Sequence, residues 1–378
     1  MSDKENFCTC HRIEFSDSRI LSAVENESVD LVVTSPPYPM IEMWDSLFAS
    51  LNPEIGLSIE LSEGLKAFEL MNQELDKTWD ELARVVKKSG FVCINIGDAT
   101  RKIGQQFQLY SNHSRITSRF ITLGFQPLPI VLWKKTTNAP NKFMGSGMLP
   151  AGAYVTLEHE YILIFRKGGK REFNSTDEKK LRNQSAFFWE ERNKWFSDTW
   201  VLNGVRQATN KDNVRERNAA FPFELAYRLI NMYSVQGDTV LDPFLGTGTS
   251  TFAAIVSQRN SIGIEYDKNL SSIIAEGLKD LCNKGNSLIT GRLEDHISFC
   301  EDYQKEKNLL RYTNKCFGFP VMTKQEIELD LKHISRITST HLSNITVEYQ
   351  PVKPISHFKA SITDTEKSQC DAQLSLFG

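Results

Sequence analysis

The sequence predicts an α/β protein built on a mostly parallel sheet, and three observations predict it. Short apolar runs at Val29 to Val33, Phe91 to Ile96, Leu128 to Trp133 and Tyr161 to Phe165 read as buried strands. Amphipathic stretches lie between them, so that strands alternate with helices, the order of a parallel sheet covered on both faces. A further strand, helix and strand block follows between Phe221 and Leu281. With 378 residues the chain can form two or three units around a substantial core.

Each element has a local reason. Val29 to Val33 is entered from an Asn-Glu-Ser turn and stopped by Pro36-Pro37, whose rings hold the backbone extended. Leu65 to Lys88 keeps Leu75, Trp79, Leu82 and Val86 on one face, as a surface helix does. Phe91 to Ile96 stops at Gly97-Asp98, and Tyr161 to Phe165 at Arg166-Lys167-Gly168-Gly169. Residues 167 to 217 are polar and basic, with Trp189, Trp195 and Trp200 interleaved and no clean period, and read as an inserted substrate-binding region. A purely structural insertion with inward-packed tryptophans is the alternative. Then come an amphipathic helix to Tyr233, a strand at Thr239 to Asp242, a Gly-rich turn, a helix and a strand at Ser261 to Ile264. Further on, Thr323 and Glu326 form a capping box, Met322 and Ile327 a staple, and Ile327, Leu331 and Ile334 one face, which predicts a small C-terminal helix. The polar, aperiodic stretch from about Gln350 reads as a mobile tail. The expected division is 1–166, 167–217, 218–285, a helical extension at 286–350 and a tail at 351–378.

Composition excludes several classes. Hydrophobic content of 40% and charged content of 24% are those of a globular chain and rule out wholesale disorder or a coiled-coil rod. No stretch approaches a membrane span and the N-terminus lacks the pattern of a signal peptide, so a cytoplasmic protein is expected. Seven scattered cysteines give no disulfide framework, and Cys8, Cys10 and His11 lack the further ligands of a structural zinc site, so no metal is expected. The net charge of −3 hides an asymmetry: Arg166 to Arg217 holds 13 Lys/Arg against 8 Asp/Glu, net +5, leaving −8 for the remainder. That points to a polyanionic partner.

Chemistry concentrates in two places. Asp242-Pro243-Phe244-Leu245-Gly246-Thr247-Gly248-Thr249 follows a strand and opens a helix, where glycines let the backbone turn tightly against a ligand. The Lys of a phosphate-binding P-loop is missing, and a dinucleotide fingerprint would place a third Gly where Thr251 stands. Glu265 ends the next strand, nineteen positions after Gly246, where a carboxylate accepts from both hydroxyls of a ribose. Turn and acid together leave NAD, S-adenosylmethionine and a merely structural Gly turn open. Asp242 favours S-adenosylmethionine, because a carboxylate at the strand tip suits a cationic ligand and repels a pyrophosphate.

Thr34-Ser35-Pro36-Pro37-Tyr38 ends the other strong strand, where open α/β sheets bind ligands. The prolines remove two N–H donors, so main-chain oxygens become pure acceptors and Ser35 adds a hydroxyl. Such a site suits an exocyclic amine, and Tyr38 offers a flat face to an unstacked base.

Together the motifs resemble those of the amino-group DNA methyltransferases, which make N4-methylcytosine or N6-methyladenine, and their order is similar to the permuted β group of that family. Asn218 to Leu225 resembles the cofactor-side helix, His159 to Leu163 the last sheet motif, and Phe15-Ser16-Asp17 the acidic motif whose carboxylate meets the cofactor's adenine. The resemblance covers about residues 13 to 282. It implies the S-adenosylmethionine-dependent methyltransferase fold, a Rossmann-like seven-stranded, mostly parallel sheet with helices on both faces, and a target recognition region at 167–217. It implies that Phe244, Gly246, Gly248 and Thr249 line the cofactor beside Asp242, that Glu265 holds its ribose and that Phe221-Pro222 closes its methionine side. Asp17 has a competitor in Asp295, if Ser287 to Thr290 is a strand.

The resemblance implies double-stranded DNA as partner, with Lys179, Lys180 and Arg182 as cations of the recognition region, and a target base flipped toward Ser35, Pro36, Pro37 and Tyr38. Carbon-5 cytosine methylation needs a Pro-Cys nucleophile, and no cysteine here follows a proline. In the resembled family Ser at the first motif position is commoner among N4-cytosine enzymes, so Ser35 favours cytosine, within a restriction-modification context. N6-adenine methylation, a catalytically silent DNA- or clamp-binding protein of the same fold, and an NAD-dependent oxidoreductase are the alternatives. The wide loop from Lys134 to Thr156 has the length of a functional cover. Gln373-Leu374-Ser375-Leu376-Phe377 resembles the peptide by which bacterial replication proteins bind the sliding clamp.

Overall fold

Parallel pairing and burial explain one another in the centre of the molecule. The computed structural model describes residues 7–135, 144–145, 147–202, 221–306 and 309–352. Ten strands form its main sheet: β1 (Cys8–Phe15), β2 (Val29–Thr34), β3 (Val86–Ile96), β4 (Phe125–Lys134), β5 (His159–Lys167), β6 (Thr199–Val201), β7 (Thr239–Asp242), β8 (Asn260–Glu265), β9 (Lys332–His341) and β10 (Asn344–Pro351). Their order is β6-β4-β5-β3-β2-β7-β8-β1-β10-β9. The run β3-β2-β7-β8-β1 is wholly parallel. All six residues of β2 are buried, as a parallel strand covered on both faces requires.

β5 enters antiparallel between β3 and β4, completing the seven strands that the sequence resemblance implies. The sheet then exceeds that expectation by three strands, ten in place of seven. β6 adds parallel to β4, and the β9–β10 hairpin adds antiparallel to β1.

Helices cover both faces. On one side α1 (Gly64–Val85) buries Leu75, Trp79 and Leu82, and α2 (Asn112–Thr122) buries Ile116 and Phe120, all packed with Val32 and Phe165. α1 stops at Val85, because Val86 already has extended backbone and begins β3. The region expected to be inserted supplies α3 (Thr176–Gln184) and α4 (Trp189–Trp195). The other face is packed by α5 (Phe223–Tyr233), α6 (Thr249–Val256), α7 (Ser271–Lys279) and α8 (Leu281–Lys305) around Leu31, Val33, Leu225 and Ala253. Trp195 and Trp200 are buried in this core, whereas Trp189 stays 39% exposed. Among the described residues no helix is long and apolar enough to cross a membrane.

The C-terminal extension departs from its expected helical form. Ser287 to Thr290 lies within α8, which leaves Asp295 on a helix and no rival strand to β1. The Thr323–Glu326 capping box is present, but it closes only the single turn Lys324–Glu326, and Ile334 belongs to β9. Tertiary pairing overrides the local helix signal: Ile345, Val347 and Tyr349 alternate inward along β10, a period of two.

A buried imidazole joins the insertion to this extension. His296 on α8 stacks on Phe188 at 3.9 Å, points Nδ1 at Glu190 Oε1 (2.8 Å) and Nε2 at the Pro320 carbonyl (3.0 Å). Both partners are acceptors, so both ring nitrogens donate and the ring is cationic. Burial works against that charge, but the contacts with Cys300 and Glu190 outweigh it and push the pKa up to about 10. Glu190, His296 and Glu326 lie close enough to suggest a metal cluster. The ring is engaged on both sides within the protein, however, and Glu326 already accepts from Trp189 and Thr323. The group works as a clamp.

Because the folded pKa lies above the ordinary 6.5, this clamp contributes fully below about pH 6.5 and its contribution fades as pH rises through about 10. His296→Gln is expected to lower stability at pH 6 by about 3 kcal/mol and to flatten the decline of the thermal midpoint between pH 6 and 10. Melting curves across that range, read against the unsubstituted protein, check both.

Candidate active site

Asp242 and the Thr34–Tyr38 loop stand side by side because β7 and β2 are neighbours in the sheet, with Leu241 opposite Val32. Thr34 Oγ1 donates to Asp242 Oδ1 at 2.6 Å across 208 positions of sequence. The Phe244 N–H donates to the same oxygen at 3.0 Å, and Ser250 Oγ donates to Oδ2. Burial pushes the Asp242 carboxyl up to about 6, with the three donors pulling the other way. The carboxylate expected to face a cationic ligand therefore has both oxygens engaged within the protein, and it locks the two motifs together.

Beyond Asp242 the backbone turns through left-handed geometry at Gly246 (φ 58°) and Gly248 (φ 94°), which side chains disfavour. A Cβ at Gly246 would meet nothing within 4 Å, so the turn opens onto free space. Gly248 caps α6, and Thr249 is that helix's first residue. Glu265, at the end of β8, is oriented from both sides: Gly246 N–H donates to Oε2 at 2.6 Å and Asp267 N–H to Oε1 at 2.8 Å. Each oxygen keeps a lone pair for a ribose hydroxyl. Burial raises the Glu265 pKa above the usual carboxylate range, against those backbone bonds.

Asp17 follows β1 directly beside this acid, since Ser16 N–H donates to the Glu265 carbonyl at 2.9 Å. Burial works to raise the Asp17 pKa, but Arg19 grips both oxygens and holds it below the usual range. Phe244 is half-buried and meets Trp79 edge-on at 5.9 Å. Phe221 and Pro222 lie at the head of α5, Phe221 in the same core cluster as Leu245. An adenosine cofactor fits this set: an open glycine turn, an oriented carboxylate for its ribose and a second carboxylate one strand further out.

On the other side of Asp242, Ser35 and Tyr38 belong to a network that the sequence did not announce. Tyr38 Oη lies 3.1 Å from Ser35 Oγ and donates to Glu160 Oε2 at 2.9 Å. Asn95 Nδ2 donates to Tyr38 Oη at 2.8 Å and to Glu160 Oε2 at 2.7 Å, and Lys135 pairs with Glu160. Burial first, and the Glu160 charge next, push the Tyr38 phenol well above its ordinary range, so it stays protonated. A Cβ at Gly97 would come within 3.1 Å of the Tyr38 ring and 3.3 Å of Glu160, so a side chain there would crowd both. Asn95 was legible only as a polar residue inside an apolar strand, and Glu160 only as a member of the His159–Leu163 motif with no role of its own.

Lys179, Lys180 and Arg182 lie on the outer surface of α3 but are not brought to this site. Their segment is tied to the opposite end of the strands, just before β7, through Arg171 to Asp238 at 2.7 Å and the Gln236 N–H to Ser185 Oγ at 2.8 Å. The Lys134–Thr156 loop is only partly within the described residues; its Met144–Gly145 pairs with Ala153–Tyr154. Gln373, Leu374, Leu376 and Phe377 lie outside the described residues.

The sheet and the glycine turn define a protein of the S-adenosylmethionine-dependent methyltransferase class. A family model described as DNA methylase, covering N6 and N4 enzymes, matches residues 29–276, and the chain belongs to that family. It is similar to the type II methyltransferase M.MthZI of Methanothermobacter thermautotrophicus, 51% identical over 348 residues that cover 92% of this chain and 97% of that one. With M.MjaI of Methanocaldococcus jannaschii, another type II methyltransferase, it shares 52% identity over 279 residues, 71% of this chain and 91% of that one. Among solved structures, a Thermus thermophilus protein assigned as a DNA modification methylase and complexed with S-adenosyl-L-methionine aligns with TM-score 0.54 and 29% identity, over 72% of this chain and 95% of its own. The protein is thus a DNA methyltransferase that uses S-adenosylmethionine.

Glu265→Ala is expected to weaken S-adenosylmethionine binding about tenfold to a hundredfold while leaving the fold intact, since two hydrogen bonds to a charged group are lost. Calorimetric titration of the variant, with its circular dichroism spectrum as control, checks this. Equal affinity would remove Glu265 from the cofactor's contacts.

Proposed function

We propose that the protein methylates the N4 amine of a cytosine flipped out of a specific duplex site, as the modification partner of a type II restriction system. The single observation carrying this reading is the acceptor-rich loop at Ser35–Tyr38, tied to the glycine turn by the hydrogen bond from the preceding Thr34 to Asp242. The similarity to M.MthZI and M.MjaI, both named type II methyltransferases, supports the restriction context.

A paired base hides its amine, so the target must leave the helix. Tyr38, with its hydroxyl held inward, presents its ring to the extruded base. Ser35 Oγ and the Pro36 carbonyl then accept the two N–H bonds of the amine and turn its lone pair away from themselves. S-adenosylmethionine supplies the electrophilic methyl carbon; the nitrogen bonds to it as the carbon–sulfur bond breaks, and the nitrogen then gives up a proton. Orientation supplies the rate enhancement, with no covalent intermediate on the protein. Asp17, Phe221, Pro222, Phe244, Gly246, Gly248, Thr249 and Glu265 form the cofactor's surroundings, and Asp242 holds its turn against the loop. The Lys179, Lys180 and Arg182 side chains make flanking contacts with the phosphate backbone, away from the flipped base.

Nucleosides from DNA incubated with the protein and isotopically labelled S-adenosylmethionine, resolved by mass spectrometry, are expected to carry label as N4-methylcytosine. Label in N6-methyladenine would keep the chemistry and overturn the base assignment, and no label on DNA rich in sites would favour a silent binding protein. Replacing Lys179, Lys180 and Arg182 together by Gln is expected to reduce the salt dependence of DNA binding by up to about three counterions, read from the slope of log affinity against log salt. An unchanged slope would place the DNA elsewhere.

A further inference from the structure

Hydrogen-bond direction in the Tyr38 network determines what Ser35 can recognise. Asn95 offers its amide protons to Tyr38 Oη and to Glu160 Oε2. Turning that amide over would set its carbonyl oxygen against the Glu160 carboxylate, so the orientation is fixed. Asn95 Oδ1 is left buried without a partner as a result. A phenol has one proton, and that of Tyr38 goes to Glu160, which leaves the Tyr38 oxygen only able to accept. The contact between Ser35 Oγ and Tyr38 Oη, 3.1 Å long, must then be made with the serine proton. Ser35 enters the pocket with its donor spent and its lone pairs free.

We infer that Glu160, acting through Tyr38, is the positioning residue that makes Ser35 an obligate acceptor and so restricts the site to a base bearing an exocyclic amine. A serine free to rotate could donate to a keto oxygen; one whose proton is committed to Tyr38 can only accept from an N–H. The serine thereby has the hydrogen-bonding character of an ionised carboxylate without placing a charge on the base. Lys135 pairs with Glu160, so the charge that fixes the direction is balanced by a cation and stands two hydrogen bonds from Ser35. The same chain offers a route for the proton released after transfer: from nitrogen to Ser35 Oγ, as Ser35 passes its own to Tyr38 and Tyr38 passes its own to Glu160. Each hydroxyl oxygen gains one proton and loses one, and Glu160 ends protonated.

The inference rests on the amine-methylation reading above, and a double-substitution cycle on the full-length protein separates the two. On DNA that the unsubstituted protein methylates, Glu160→Gln and Tyr38→Phe are each expected to slow single-turnover transfer about a hundredfold, with the dissociation constant for S-adenosylmethionine unchanged. Combining them is expected to add no further loss, because both break one chain. Transfer by Glu160→Gln at the unsubstituted rate, or losses that multiply in the double variant, would overturn the inference while leaving the function in place. An unsubstituted protein that transfers no methyl to DNA would overturn both. Retained cofactor affinity in Tyr38→Phe, which keeps the ring, shows that a loss of rate is not a loss of fold.

Discussion

The buried Asp242 carboxylate is the constraint on which the site depends. Two motifs that the sequence separates by about two hundred residues must face each other to within a fraction of an ångström for an in-line transfer, because misplacement by about 1 Å can cost a hundredfold in rate. Strand pairing brings β2 and β7 together, but pairing alone does not set the height of the loops above the sheet. A carboxylate accepting from Thr34 on one strand, from Phe244 in the turn and from Ser250 in the following helix does set it. Its burial makes those bonds matter more, since an unmatched charge there would be costly.

The insertion and the C-terminal extension extend this rigidity outward. Arg292 on α8 forms a two-pronged pair with Glu191 on α4 and also donates to Tyr227 on α5. Alongside the His296 contacts, this binds three regions that the linear sequence places far apart. Arg171 meets Asp238 at the amino end of β7 and Trp200 is buried on the edge strand β6. The segment read as an insertion is, within its described residues, a continuation of the sheet and its helical cover, and a surface for DNA built on it would inherit a fixed orientation.

Much of this was legible because its signals are local. Val29 to Val33 before two prolines, Thr239 to Asp242 before glycines, and the acid at 265 each declare an element and its end. The C-terminal hairpin shows the limit of local signals: Thr323 and Glu326 form a real capping box, and only pairing with β1 shows that the chain beyond them is extended. Tyr349 illustrates the point, its hydroxyl bonded to Thr9 at 2.8 Å and to the Ile255 carbonyl at 2.8 Å, contacts that no local pattern contains. The roles of Asn95 and Glu160 were not legible because their meaning lies in each other, on β3 and at the start of β5. Lys179, Lys180 and Arg182 show the opposite limit, since a basic run reads clearly while the end of the sheet beside which it lies does not.

The position of β1 has a consequence for how the molecule is made. Among the described residues this strand pairs only with β8 and β10, so His11 waits for Ser261 and Cys8 for Glu348. During synthesis it is an edge without a neighbour until most of the chain has emerged, and unpaired edges invite association with other chains. The loops that close late also fold slowly, because ordering them costs entropy before any contact rewards it. Asp17 travels with β1. Its place beside Glu265 therefore waits for β8, the last strand of the parallel run to be synthesised.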